Sequence, residues 1–174
     1  VIAEDGGGDP LTFSYDIDED GVNDAAGADL DRINVNYPDD GLYVVRVQVC
    51  DDQNACSTGE VPVNVGNIRP RILSVTATSP IVEGQSSRIV IDAVDVQGDP
   101  LLYAFDIDND GDYADDIEGQ LQSEILVPFS DDGTFFVGVR VDDGDGGLVT
   151  DVVRIEVLNE PPKANILGTV STRQ

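Results

Sequence analysis

The sequence predicts an all-β protein built as two tandem sandwiches. Three observations carry this reading. Apolar residues alternate at period two, the chain repeats itself at an interval of about 90 residues, and the segments between the alternating runs are rich in Asp and Gly. The apolar fraction, 40 %, is that of an ordinary globular protein, so the acidity does not mark a disordered tail.

The repeat is visible by aligning the chain with itself. "GDPLTFSYDIDEDG" (8–21) matches "GDPLLYAFDIDNDG" (98–111) at an offset of 90. "DDGLYVVRVQVCDD" (39–52) matches "DDGTFFVGVRVDDG" (131–144), and "NIRPRI" (67–72) matches "NEPPKA" (159–164), both at 92. A two-residue insertion therefore lies in an intervening loop. Asn67 and Asn159 open successive units, each with a proline three residues later.

Within each unit the strands follow in order. Leu11, Phe13, Tyr15 and Ile17 form one inward row, matched by Leu101, Tyr103, Phe105 and Ile107. Tyr43, Val45, Val47 and Val49 form another, matched by Phe135, Val137, Val139 and Val141. "RIVIDAV" (88–94) and "LVTDVVRIEV" (148–157) supply two more strands. About seven short strands per unit, separated by Asp/Gly turns, predict a two-sheet, immunoglobulin-like sandwich, and no segment shows a helical period.

The expected domains are 1–66, a first sandwich lacking its opening strand; 67–158, a complete second sandwich; and 159–174, an opening-strand segment. Val1 aligns with Ile91, inside a strand, and the tail aligns with 67–82. A sandwich short of a strand exposes an edge and an open core. Two readings follow. Either the tail of one chain completes the first sandwich of the next, through Asn159, Pro162, Ala164, Ile166, Leu167 and Val170, or the chain is a window on a longer tandem array.

With these residues in view, the chain resembles the PKD-type (polycystic kidney disease) repeats of bacterial and archaeal surface proteins, a pattern shared with cadherin-like and other bacterial Ig-like modules. The carrying stretches are "FDIDNDG", "GTFFVGVRVDDGDGGLVTDVVRIEV" and "NEPPKA" with their first-unit equivalents. The usual Trp is replaced by Tyr15 or Phe105, and Gly-Asp-Gly is stretched to Asp-x-Asp-Gly. The resemblance implies an extracellular spacer or adhesion module and brings no catalytic residues.

Net charge is −26, from 9 basic and 35 acidic residues, 27 of them Asp. Nucleic acid and anionic membranes are therefore expected to be poor partners, because both need basic patches. No apolar run is long enough to insert into a membrane. Asp favours turns, so the charge is expected in loops, where it suits cations, although acidity also accompanies adaptation to salt. The chain has no His, Met or Trp, which removes the commonest general base and metal-binding imidazole. No pair of carboxylates stands out as an acid/base couple, so an enzyme is not expected.

The candidate chemistry lies in two acidic loops. Asp16, Asp18 and Asp20 before Gly21 match the opening of a calcium loop, as do Asp106, Asp108 and Asp110 before Gly111. Calcium takes six to eight oxygens, and alternating carboxylates can aim at one centre. Asp24 stands at the ninth position of the first loop, whereas the second has Ala114, making the first loop the more complete. Asp112 offers a backbone carbonyl, and with Ile117 at the twelfth position of the second loop, Asp115, Asp116 or Glu118 is the candidate substitute for the missing ligand. The bidentate Glu of an EF-hand is absent from both, so these read as calcium loops on a β scaffold. The competing reading is a solvated Asp-Gly turn. In a tandem array, the loops 92–100 and 142–147 would bring further acids to the ends of the modules.

Cys50 and Cys56 flank the turn "DDQNA" on adjacent strands, both on the outward row. A disulfide there is worth about 2 kcal/mol by loop entropy and implies an oxidising compartment. Together these readings describe a structural module of an extracellular or cell-surface stalk or filament, calcium-stiffened and associating head to tail with other copies. The alternative is an adhesion module binding cell-surface proteins or glycans.

Overall fold

The computed structural model describes residues 1–95 and 98–164. Twelve strands and no helix occur among them. They form two compact units. The first comprises Val1–Arg69 with the described residues of Asp95–Asp99 and with Asp145–Gly147. The second comprises Pro70–Val94, Pro100–Gly144 and the described residues from Leu148 on, 148–164.

The second unit has two sheets. Strands β5 (Arg71–Ala77), β7 (Ser86–Val94) and β10 (Glu124–Pro128) form a three-stranded sheet ordered β10-β7-β5. Strands β6 (Ile81–Val82), β8 (Leu102–Asp106), β9 (Ile117–Gln120), β11 (Gly133–Asp142) and β12 (Leu148–Leu158) form a five-stranded sheet ordered β6-β12-β11-β8-β9. Period-two patterning explains the core between them. Phe105, Val137, Val139, Val141 and Ile155 from one sheet and Ile89 and Ile91 from the other are all essentially buried. The centres of the expected inward rows are therefore buried, as alternating pleats require, while on β8 Ala104 and Asp106 of the opposite face are buried too.

The first unit has one sheet among its described residues. Strands β1 (Thr12–Asp16), β2 (Ala25–Gly27), β3 (Gly41–Cys50) and β4 (Cys56–Val65) are antiparallel in the order β2-β1-β3-β4. They reproduce β8, β9, β11 and β12 of the second unit in sequence and in pairing. The core is smaller, built on Phe13, Tyr15, Val45 and Val47. The Tyr15 hydroxyl donates to the Leu30 carbonyl, tying the loop after β2 to this core.

The outer half of the first unit differs from its repeat. Residues 32–36 align with β10 at an offset of 92, yet they form no strand. In the second unit β10 exists by pairing with β7 along five residues. No strand equivalent to β5 or β7 occurs among the described residues of the first unit, so 32–36 have no ladder to join. The inner row of β4 shows the same effect. Ile155 and Val157 on β12 are buried and Val153 is half-buried, whereas Val61, the equivalent of Val153, is 49 % exposed. Ser57 replaces Val149 and is exposed. Strand β5 packs against β12, and among the described residues no strand of a second sheet packs against β4.

This difference in cover predicts a difference in mutational cost. Ile155→Ala empties a sealed core and is expected to cost about 2–5 kcal/mol. Val61→Ala, on the uncovered row, is expected to cost under about 1 kcal/mol. Urea denaturation of the two variants checks this.

Candidate metal centres

Each acidic loop begins where a central strand runs out of the sheet. Asp16 ends β1 and Asp106 ends β8, and both are buried, at 6 % and 2 % exposure. Buried carboxylates need donors. The turn supplies them: Gly21 N–H donates to Asp16 Oδ2 at 3.1 Å, and Gly111 N–H donates to Asp106 Oδ2 at 2.9 Å. Bringing those amides back requires a left-handed backbone three residues into the turn. Glu19 has φ 60° and Asn109 φ 57°, followed by Gly21 at 84° and Gly111 at 95°. Asn tolerates this region better than Glu, so the second turn is built at lower cost.

The remaining aspartates continue the pattern. Asp18 Oδ1 accepts from Asp20 N–H and Asp108 Oδ1 from Asp110 N–H, both at 3.3 Å. Asp20 Oδ1 accepts from Val22 N–H at 2.7 Å, and Asp110 Oδ1 from Asp112 N–H at 2.8 Å. Carboxylate oxygens of Asp16, Asp18 and Asp24 lie within 4.8 Å of one another, as do those of Asp106, Asp108 and Asp110. Calcium–oxygen distances of about 2.4 Å put opposite ligands about 4.8 Å apart, so each trio fits around one ion. Asp20 is not in the first trio, and Asp112 and Asp115 are not in the second. The Asp112 carboxylate instead accepts from Ala114 N–H at 2.9 Å. Asp115 is exposed, near enough to feel the charges of Asp110, Asp112 and Asp116.

The comparison of the two loops corrects one sequence expectation. Asp24 has a counterpart, and it is Asp116 rather than position 114. Asp24 Oδ2 accepts from Ile17 N–H at 2.7 Å, and Asp116 Oδ2 accepts from Ile107 N–H at 2.6 Å. The two inserted residues fall between Gly111 and Asp116, which is why the offset is 90 before the loop and 92 after it. That change of offset was the available signal. The first loop is therefore not more complete by virtue of Asp24.

The loops differ in charge. Desolvation, then the neighbouring Asp110, pushes the Asp108 carboxyl up, and the hydrogen bond from Asp110 N–H opposes this. Asp115 is likewise pushed up, by desolvation first and by Asp110, Asp112 and Asp116 after it. In the first loop, Arg46 sits opposite Asp16 in the β1–β3 register. Its Nε donates to Glu60 at 3.1 Å, and a terminal nitrogen lies 3.6 Å from Glu19. The Glu60 hydrogen bond, then the Glu60 and Glu19 charges, hold Arg46 above its ordinary value. One atom is left over: Asp16 Oδ1 is buried with no hydrogen-bond partner.

Two further acidic groups were not singled out by motif. Asp39, Asp40 and Asp99 lie together in the first unit, where desolvation and then Asp39 push Asp99 up. Glu83, Asp131 and Asp132 lie together in the second. Both sets join residues distant in sequence, so no local spacing could reveal them.

Cys50 and Cys56 form a disulfide. They are directly paired across β3 and β4, and Asp51 Oδ1 accepts from Gln53 and Ala55 N–H inside the closed turn. Of the tail residues, Asn159, Pro162 and Ala164 are exposed and outside any strand, while Ile166, Leu167 and Val170 lie outside the described residues.

No family model and no curated protein matches the chain. Solved structures do. A protein described as an amphioxus IgVJ-C2 molecule is 15 % identical, with 84 % of this chain and 88 % of that chain covered and a TM-score of 0.48. Fibronectin(III)-like modules of Clostridium thermocellum CbhA are 15 % identical over 95 % of this chain and 88 % of theirs, at 0.41. PcdhgB3 EC1-4 is 15 % identical over 84 % of this chain and 40 % of its own, at 0.42. With each of these scores below 0.5, the similarities decide neither family nor function.

The Asp116 assignment is directly testable. Asp116→Ala is expected to speed amide exchange at Ile107 by about tenfold, the loss of one hydrogen bond. Asp115→Ala should leave that amide unchanged.

Proposed function

We propose that this chain is a structural module of an extracellular or cell-surface protein, made of tandem immunoglobulin-like sandwiches whose acidic loops bind calcium. The observation that carries the calcium reading is Asp16 Oδ1. Buried polar atoms are almost always hydrogen-bonded, and an orphan carboxylate oxygen within a trio of aspartates has a cation as its natural partner. Asp16, Asp18 and Asp24 would hold the ion in the first loop, and Asp106, Asp108 and Asp110 in the second. A bound ion would cancel repulsion within each loop and stiffen the end of its sandwich. The disulfide supports the compartment, since such bonds persist where conditions are oxidising.

The assembly we propose is head to tail. The uncovered face of the first sheet borders a hollow of about 500 Å³ lined by Leu11, Val47, Val49 and Val61 and by the first residues of the chain. Its proposed occupant is the tail of a second copy. Residues 163–169 repeat 71–77, which form β5, and β5 is the strand that packs on β12, the counterpart of β4. Chains joined this way form an open filament rather than a closed ring.

Two measurements test this reading. Calcium is expected to raise the melting temperature, by about 2.7 kcal/mol of stabilisation at a hundredfold excess over Kd, and a chelator should reverse it. No calcium-dependent shift would remove the metal reading. Sedimentation of the full chain should show concentration-dependent oligomers that disappear on truncation after residue 158; a monomer at all concentrations would remove the assembly reading.

A further inference from the structure

We infer that Arg46 is a built-in competitor of the cation in the first loop, and that Glu60 and Glu19 act as positioning residues that hold its guanidinium off Asp16. This rests on the calcium reading above. Asp16 and Arg46 are direct cross-strand partners, so their side chains leave the sheet on the same face. Both line one hollow of about 550 Å³, together with Glu60. An arginine and a buried aspartate so placed would ordinarily pair. They do not, because the guanidinium is engaged elsewhere, at 3.1 Å from Glu60 and 3.6 Å from Glu19. Asp16 Oδ1 is left without a partner as a result.

The second loop is the internal control. Asp106 faces Gly138 in the matching register, where no side chain exists. A Cβ at Gly138 would come within 3.2 Å of both Asp106 Oδ2 and the Tyr113 hydroxyl, so that space is already filled. The nearby Arg140 is turned away, bonded to Glu118 at 2.6 Å and stacked over the Tyr113 ring at 4.7 Å. Asp106 has both oxygens satisfied by the Asp110 and Gly111 amides. The first loop thus sets an open carboxylate oxygen opposite an arginine, whereas in the second both Asp106 oxygens are satisfied and the residue facing Asp106 is a glycine.

Glu19 lies within the first loop itself, three residues after Asp16. Its left-handed backbone places its carboxylate toward Arg46, so the same turn that gathers the aspartates also restrains their competitor. Exposed ion pairs are worth up to about 1 kcal/mol, which corresponds to roughly fivefold in affinity. The consequence is that first-loop affinity depends on where Arg46 points.

The test is calcium titration calorimetry on the full chain carrying Asp108→Asn and Asp110→Asn, which leaves the first loop alone. Arg46→Gln is expected to tighten binding by about three- to fivefold, and Glu60→Gln to weaken it by a similar factor. The decisive measurement is the double variant: with Arg46 already removed, Glu60→Gln should have little further effect. A Glu60→Gln effect that persists undiminished in the Arg46→Gln background would overturn the inference, since Glu60 would then act only as a distant charge. So would an Arg46→Gln affinity within twofold of the parent. In the reciprocal background, Asp18→Asn with Asp24→Asn, Arg46→Gln should leave the second loop unchanged. Calcium bound with no coupling between Arg46 and Glu60 sinks this inference alone; no calcium bound in either background sinks the metal reading and this inference with it. Circular dichroism confirms that each variant is folded.

Discussion

A carboxylate buried at the end of a central strand has to be answered by donors or by a cation, and much of each unit is arranged around that requirement. Asp16 and Asp106 sit where β1 and β8 leave their sheets, each more than nine-tenths buried. The glycine amide five residues on returns to each of them. That return forces a left-handed residue, which forces a tight turn, which crowds two more aspartates beside the first. Asp24 and Asp116 then clamp the far side of the turn by accepting from the amide just after the buried aspartate. The turn is held by its own carboxylates, and the cost is a concentration of negative charge. In the second loop that charge shows as Asp108 and Asp115 pushed up by desolvation and by their neighbours.

The two units also show how far one sequence pattern can be carried by different surroundings. Strands β3 and β11 have nearly the same alternation, and their inward residues are buried in both. Strands β4 and β12 alternate alike, but among the described residues only β12 has a second sheet packed on it, because β5 and β7 are present to build one. The same absence leaves 32–36 without a ladder although Ile33 and Val35 carry the alternation of Ile125 and Val127. A strand is a property of a pair, not of a segment.

Most of the fold was legible in the sequence for a simple reason. Period-two alternation is local and survives in each strand, so β1, β3, β7, β8, β11 and β12 lie where the alternation runs, and the inward rows are the buried rows. The disulfide was legible too, since two cysteines flanking a five-residue turn on adjacent strands can hardly avoid each other. The acidic loops were legible as motifs but not as sites. Spacing named Asp16, Asp18, Asp20 and Asp24 for the first loop, and the close trio there is Asp16, Asp18 and Asp24; it set Ala114 opposite Asp24, whereas the insertion moves that role to Asp116. Position in a loop is set by where the backbone turns, and a two-residue insertion there moves the side chain that matters.

By itself the sequence determined the class of fold, the self-similarity at about 90 residues, the location of the charge and the disulfide, because each of these follows from local pattern and composition. Only the tertiary structure decided that Arg46 faces Asp16 while Gly138 faces Asp106, that Asp16 Oδ1 is left without a hydrogen-bond partner, and that Val61 on the inner row of β4 stays half exposed among the described residues. These depend on cross-strand register and on which sheets stack, and both join residues tens of positions apart. An acidic loop is written locally, but the charge that faces it arrives from the neighbouring strand.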